Sequence, residues 1–177
     1  MTTRNFEGIS PTIHSSAYID ESALVIGDVR IGEESSIWPF TVIRGDVQSI
    51  RIGKRTNIQD GCVLHVTHGS EYSGEPEGLP LLVGNDTTVG HKAVLHACTI
   101  QDYCLIGMGS IVMDGAIIED HVMVGAGSLV PPGKVLKSGY LWLGSPVKRV
   151  RKLSNKEHTL LSYSAQHYCI LANRTKG

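Results

Sequence analysis

Aliphatic residues return every six positions along most of this chain. Ile19, Val25, Ile31, Ile37 and Ile43 open the series, and Ile52, Ile58 and Leu64 resume it. Val83, Val89 and Leu95 follow, and Ile100, Ile106, Val112, Ile118, Val124 and Val130 complete it. Such a period fits neither the roughly 3.6 of a helix nor the plain alternation of a strand. It suits a solenoid whose short flat segments turn a corner every six residues. Two positions before each aliphatic the residue is mostly small, as at Ala23, Ser35, Thr41, Cys62, Ala93, Cys98, Cys104, Ser110 and Ser128. Residues two apart on a strand share a face, so both point inward and the small one leaves room at the corner. Glycine follows several of the aliphatics, at Gly32, Gly53, Gly84, Gly90, Gly107 and Gly125.

The series is broken three times: Ile43 to Ile52 is nine residues, Leu64 to Val83 nineteen, and Leu95 to Ile100 five. These steps follow the fifth, eighth and eleventh hexads, so on a three-sided prism they share one corner. The longest carries Gly69, Gly74, Pro76, Gly78 and Pro80 and predicts a protruding loop over about residues 66–82. After Val130 the pattern fades. Gly144-Ser145-Pro146 breaks the chain, and Ser154-Asn155-Lys156-Glu157 matches a capping box that starts a helix from about Asn155 to Ala172. The expected organisation is an N-terminal segment and cap over 1–18, a solenoid over 19–135, and a linker with a C-terminal helix over 136–177.

Composition narrows the setting. The net charge of −1 gives no strong pull toward nucleic acid or an acidic membrane. No apolar run reaches membrane-spanning length, and no signal-peptide stretch opens the chain, so a cytoplasmic location is the default expectation. Cys62, Cys98 and Cys104 fall in the small interior slot and read as packed thiols, with Cys169 an ordinary residue of the tail.

The candidate chemistry lies in His65, His91 and His96. His65 follows Leu64 and His96 follows Leu95, one coil apart, so both project from the same face with backbones ~5 Å apart. Both imidazoles can reach one ion. His91 sits near the preceding corner, and five residues of extended chain span roughly 16 Å. The spacing therefore points to a metal site shared between chains, two ligands from one and one from the next, in a threefold ring. Three neutral imidazoles with an open position are a catalytic zinc arrangement. Arg44 stacks beneath His65, and Asp46 is a carboxylate partner for it; Gln59 and Asp60 are otherwise read as solvated polar residues. His14, His121, His158 and His167 do not stack with the ligand set and read as ordinary histidines.

The segments Arg44-Gly45-Asp46, Asn57-Ile58-Gln59-Asp60-Gly61, Val63-Leu64-His65 and Gly90-His91-Lys92-Ala93-Val94-Leu95-His96 resemble the gamma-class carbonic anhydrases. The whole chain is most similar to the short bacterial branch of that family, including Gly144-Ser145-Pro146-Val147-Lys148 before the helix. The resemblance implies an all-β solenoid: a left-handed parallel β-helix of hexapeptide repeats, three hexads to a coil, with a C-terminal α-helix. It implies a homotrimer with metal ions at its interfaces, held by His65, His91 and His96. The ion is Zn2+, with Fe2+ or Co2+ as alternatives. It further implies that Gln59 hydrogen-bonds a metal-bound hydroxide, that Arg44 and Asp46 join subunits near the site, and that the reaction is reversible hydration of carbon dioxide to bicarbonate, a lyase activity. Two family glutamates are missing. Val47 stands in place of one, and His68 stands where the other shuttles protons; an imidazole can also exchange protons near neutral pH. Two other functions remain open at this point: a coenzyme A-dependent acyltransferase using one histidine as general base, and a non-catalytic metal-binding trimeric scaffold.

Overall fold

The structure, a computed structural model, describes residues 2–72 and 74–176. Met1, Ser73 and Gly177, which the expected segments include, lie outside the described residues. The chain winds as a parallel β-solenoid of three faces, with the hexad aliphatics stacked in its interior. The first face is an eight-stranded sheet, and the second and third form one continuous twelve-stranded sheet. Register follows the hexads: Ile37 pairs with Ile58, Leu64 with Leu95, and Ile100 with Ile118. Ile37, Ile43, Ile58, Leu64, Leu95, Ile106 and Ile118 are fully buried, so the period of six is the period of the core.

The corners have a common construction. Three residues before most of the aliphatics the backbone enters the left-handed region, as at Glu34, Phe40, Arg55, Lys92, Tyr103 and His121, and at Gly109, Gly115 and Gly127. The small inward slot then does more than save space. Ser35 Oγ donates to the Gly53 carbonyl at 2.6 Å, Thr41 Oγ1 to Gln59 at 2.9 Å, and Thr56 Oγ1 to Gly84 at 2.7 Å. Cys62 and Cys104 make the same upward contact through sulfur, at 3.2 and 3.1 Å. Glycine after the aliphatic is a matter of clearance. A Cβ on Gly107 would stand 2.4 Å from the backbone nitrogen of Ala126 in the next coil.

All three irregular steps fall between the second and third faces, as their spacing predicts. The nine-residue step is a single strand, Val42–Ile52, which runs across both faces beside Leu24–Ile31. The nineteen-residue step leaves the body after Val66 as a loop closed at its base by Thr67 and Leu79. The stack continues beyond the expected boundary at residue 135. Val135–Leu136 pairs with Ile117–Ile118, and Leu141 and Trp142 with Met123 and Val124. Leu136 and Trp142 keep the spacing of six, but Lys134 and Tyr140 replace the small residue two before, which is why the pattern fades in the sequence.

Val147–Lys152 then turns back antiparallel on Tyr140–Gly144 and ends that sheet, with residues 148–152 exposed. At the other end, Thr2–Arg4 and Thr12–Ile13 pair with Leu24–Ile31 and extend the twelve-stranded sheet. The helix Asn155–Thr175 starts at the expected capping box, Ser154 and Glu157, and ends about a turn later than expected. It lies along the first face with Leu161, Ala165 and Ala172 buried, Ser164 bonded to Thr88, and Tyr168 edge-on to Trp38. Leu160 and Tyr163 point to solvent.

Candidate metal centre

His65 and His96 end the paired strands Val63–His65 and Val94–His96 and are directly opposed in register. Their rings meet: the centroids are 5.2 Å apart, and His65 Nδ1 lies 3.2 Å from His96 Nε2. Each ring is also held from behind by a carboxylate. His65 Nε2 is 3.0 Å from Asp46 Oδ1, and His96 Nδ1 is 2.7 Å from Asp114 Oδ1. Both carboxylates titrate below the usual range: burial pushes each up, but donors outweigh it, Arg44 and His65 at Asp46, Thr67 and His96 at Asp114. An ionised carboxylate can only accept. The outer nitrogens therefore carry the protons, and the inner pair turn lone pairs toward each other. Burial holds His65 neutral to a lower pH than an ordinary imidazole, despite Asp46.

His91 stands apart, at the preceding corner. Its Nδ1 is 2.9 Å from Asp60 Oδ2, so it too has one nitrogen on an aspartate, and its backbone N–H donates to Gln59 Oε1 at 3.2 Å. Among the described residues, no hydrogen bond or ring contact joins His91 to His65 or His96, and no three His, Cys, Asp or Glu side chains of one chain converge on a common ion position. One chain thus presents two facing histidines on one side of a corner and a single histidine on the other.

Gln59 is not a solvated amide. It is 5% exposed, and its Nε2 donates to Asn57 Oδ1 at 3.1 Å. Asn57 in turn donates to Thr88 Oγ1 at 2.9 Å, and Thr88 shares a bond with Ser164 of the helix at 3.0 Å. Arg44 is exposed and bonds Asp46 through Nη1. Val47 and His68 are exposed, the latter on the loop. Tyr168 is partly buried; burial, then the charge of Asp60, raises its pKa. Asp114, Thr67 and Asn57 were not marked by sequence reasoning as site residues. Asp114 lies two after Val112, outside the slot that marks His65 and His96, and its proximity to His96 depends on how the corner folds.

Residues 97–132 match the family model described as bacterial transferase hexapeptide (six repeats). Protein YrdA of Escherichia coli (strain K12) is 58% identical over 165 residues, 93% of this chain and 89% of that protein. The carbonic anhydrase of Geobacillus kaustophilus is 46% identical over 152 residues, 86% of this chain and 79% of that one. Gamma carbonic anhydrase 2, mitochondrial, of Arabidopsis thaliana is 45% identical over 171 residues, 97% of this chain and 60% of that longer protein. The chain belongs to the gamma carbonic anhydrase-like family of hexapeptide-repeat proteins. This gamma carbonic anhydrase-like chain also matches the crystal structure of a hexapeptide transferase family protein from Anaplasma phagocytophilum. The TM-score is 0.88 at 42% identity, with 97% of this chain and 96% of that one covered. No described helix is long and apolar enough to cross a membrane.

Proposed function

We propose that the protein is a metal-dependent carbonic anhydrase-like enzyme that hydrates carbon dioxide reversibly to bicarbonate at sites shared between the subunits of a homotrimer. The facing nitrogens of His65 and His96, 3.2 Å apart, carry this reading. Two imidazole nitrogens bound to one zinc ion at about 2.0–2.1 Å, near the tetrahedral angle, stand about 3.3 Å apart. Two lone pairs at that distance repel unless a cation or a proton lies between them, so the donor set fits a dication. Carboxylates behind metal-ligating imidazoles fix the tautomer and raise ligand basicity, and Asp46, Asp114 and Asp60 stand in that relation to His65, His96 and His91.

His65 and His96 of one subunit and His91 of a neighbour would hold Zn2+, or Fe2+ or Co2+ in its place. A bound dication supplies Lewis acidity that lowers the pKa of a coordinated water to about 7. Gln59 keeps one amide N–H beyond its bond to Asn57 with which to orient a reacting oxygen. Arg44 offers guanidinium N–H groups beyond its bond to Asp46, and His68 on the loop accepts the outgoing proton. The trimer is supported by the second face, whose outward positions are Leu24, Val42, Val63, Val94, Ile111 and Leu129, stacked in register. An aliphatic strip of this kind on a parallel sheet calls for cover, and the half-site of His65 and His96 lies at its edge.

The test is metal analysis of protein purified without chelator, mass in solution, and stopped-flow carbon dioxide hydration with the zinc-, cobalt- and anaerobically iron-loaded forms. The expected outcome is one ion per chain, a mass three times 19.1 kDa, hydration activity, and loss of the ion in His91→Ala and in His96→Ala. A monomer, or no activity in any loaded form, overturns the reading. Binding of acetyl-coenzyme A with no retained metal would favour an acyltransferase, and a metal-holding trimer without turnover would favour a scaffold.

A further inference from the structure

We propose that Asp114 and Thr67 are positioning residues that set the tautomer of His96 and tie this ring to the root of the protruding loop. The proposal rests on the metal-centre reading, and its first measurement is independent of it. Three separate segments meet in line. His96 ends the strand Val94–His96; Asp114 lies one coil further on, two residues after Val112, the register partner of Leu95; Thr67 lies one coil back, just past Val66. The Thr67 hydroxyl donates to Asp114 Oδ2, and Asp114 Oδ1 faces His96 Nδ1 at 2.7 Å. With one carboxylate oxygen taken by the hydroxyl, the other is fixed on the ring.

The backbone beneath is fixed as well. Ala97 N–H donates to the His65 carbonyl at 2.9 Å, and Gly115 N–H to the Ala97 carbonyl at 2.8 Å, so the corner residues beside His96 and Asp114 are stacked by main-chain bonds. Thr67 is also the residue that closes the loop. It exchanges both main-chain hydrogen bonds with Leu79, at 3.1 and 3.0 Å. Any displacement of the loop root therefore reaches the ring through two side-chain hydrogen bonds. Among the described residues, no such connection reaches His65 or His91: Asp46 is held by Arg44 and the Val47 N–H, and Asp60 is half exposed.

The experiment is nitrogen NMR of histidine-labelled, metal-free, full-length protein at about pH 8, where neutral imidazole dominates, followed by zinc binding in competition with a chelator. The His96 signals are identified by their loss in His96→Gln. In the wild type His96 is expected to be protonated at Nδ1. Asp114→Asn offers one acceptor where two donors converge; it is expected to mix the tautomers and weaken zinc binding about 10–100-fold. Thr67→Val is expected to move both readouts in the same direction, Thr67→Ser to restore them, and Asp120→Asn, at another exposed corner, to change neither. A wild-type His96 protonated at Nε2 overturns the proposal. So do nitrogen shifts and zinc affinity that stay unchanged in both Asp114→Asn and Thr67→Val. If Asp114→Asn does not fold, the two Thr67 variants decide. If the wild type neither holds zinc nor hydrates carbon dioxide, the proposed function fails while the nitrogen shifts still judge this inference.

Discussion

At the corners, one side chain both fills a small space and satisfies a carbonyl of the coil above. Thr41 is fully buried, and its hydroxyl donates to the Gln59 carbonyl. Thr41→Val keeps the shape and removes the donor, so it is expected to destabilise the protein by about 1–3 kcal/mol. Chemical denaturation at one fixed protein concentration measures this. The cysteines in the same slot are weak donors, and burial pushes the Cys62 thiol up to about 11 and Cys104 up to about 12. Since the thiolate is the nucleophile, iodoacetamide at neutral pH is expected to leave both unmodified in the folded protein, as read by mass spectrometry after digestion. The sequence made the size of this slot legible but not its bonding, because Ala93 and Ala116 occupy it equally well without a donor. The site divides in the same way. His65 and His96 could be read from register alone. Asp114 could not, because its slot two after an aliphatic is shared with Asp60, Asp102 and Asp120, and its contact with His96 depends on the path of the corner.

The elements differ in how clearly they announce themselves. The helix start is written in four residues: the Ser154 side chain accepts from Glu157 N–H, and Glu157 accepts from Ser154 N–H at 2.8 Å. Arg151 adds a two-pronged contact at 2.8 and 2.7 Å. These donors, Arg151 foremost, hold the Glu157 carboxyl well below its ordinary value of 4.5. A carboxyl depressed in the folded state stabilises it above the unfolded value, and that stabilisation is lost as pH falls below it. The thermal midpoint of Glu157→Gln is therefore expected to lie below wild type at neutral pH and to approach it progressively as pH falls below about 4.5 toward the depressed folded value, measured by circular dichroism. The last coils were harder to read. Leu136 and Trp142 hold the spacing, but Lys134 and Tyr140 occupy positions that carry small residues elsewhere. Lys134 turns outward and approaches the face of Trp142, while Tyr140 packs against the core beneath Arg149.

For the molecule as a whole, three irregular steps at one corner leave the register of the second face unbroken, so it keeps its aliphatic strip while the adjoining corner carries Asp46, Asp114 and the loop. Ile111 is the fifth of the six strip residues and 42% exposed. If the proposed metal-holding trimer closes through this strip, Ile111→Glu is expected to give single chains that stay folded and do not retain metal, as light scattering and metal analysis would read. A folded trimer with normal metal content would place the contact elsewhere.

The reversed strand Val147–Lys152 has a consequence for what the molecule cannot do. A solenoid of parallel coils has no internal reason to stop, since its last coil offers unpaired main-chain groups to any extended segment. In this chain the final strand runs the other way and carries Lys148, Arg149, Arg151 and Lys152 exposed on its outer edge. A second copy approaching end to end on that side would meet a strand of opposite direction and a row of like charge. End-to-end growth through that sheet is disfavoured, and joining side by side, as in the proposed ring, is the route to an assembly of finite size.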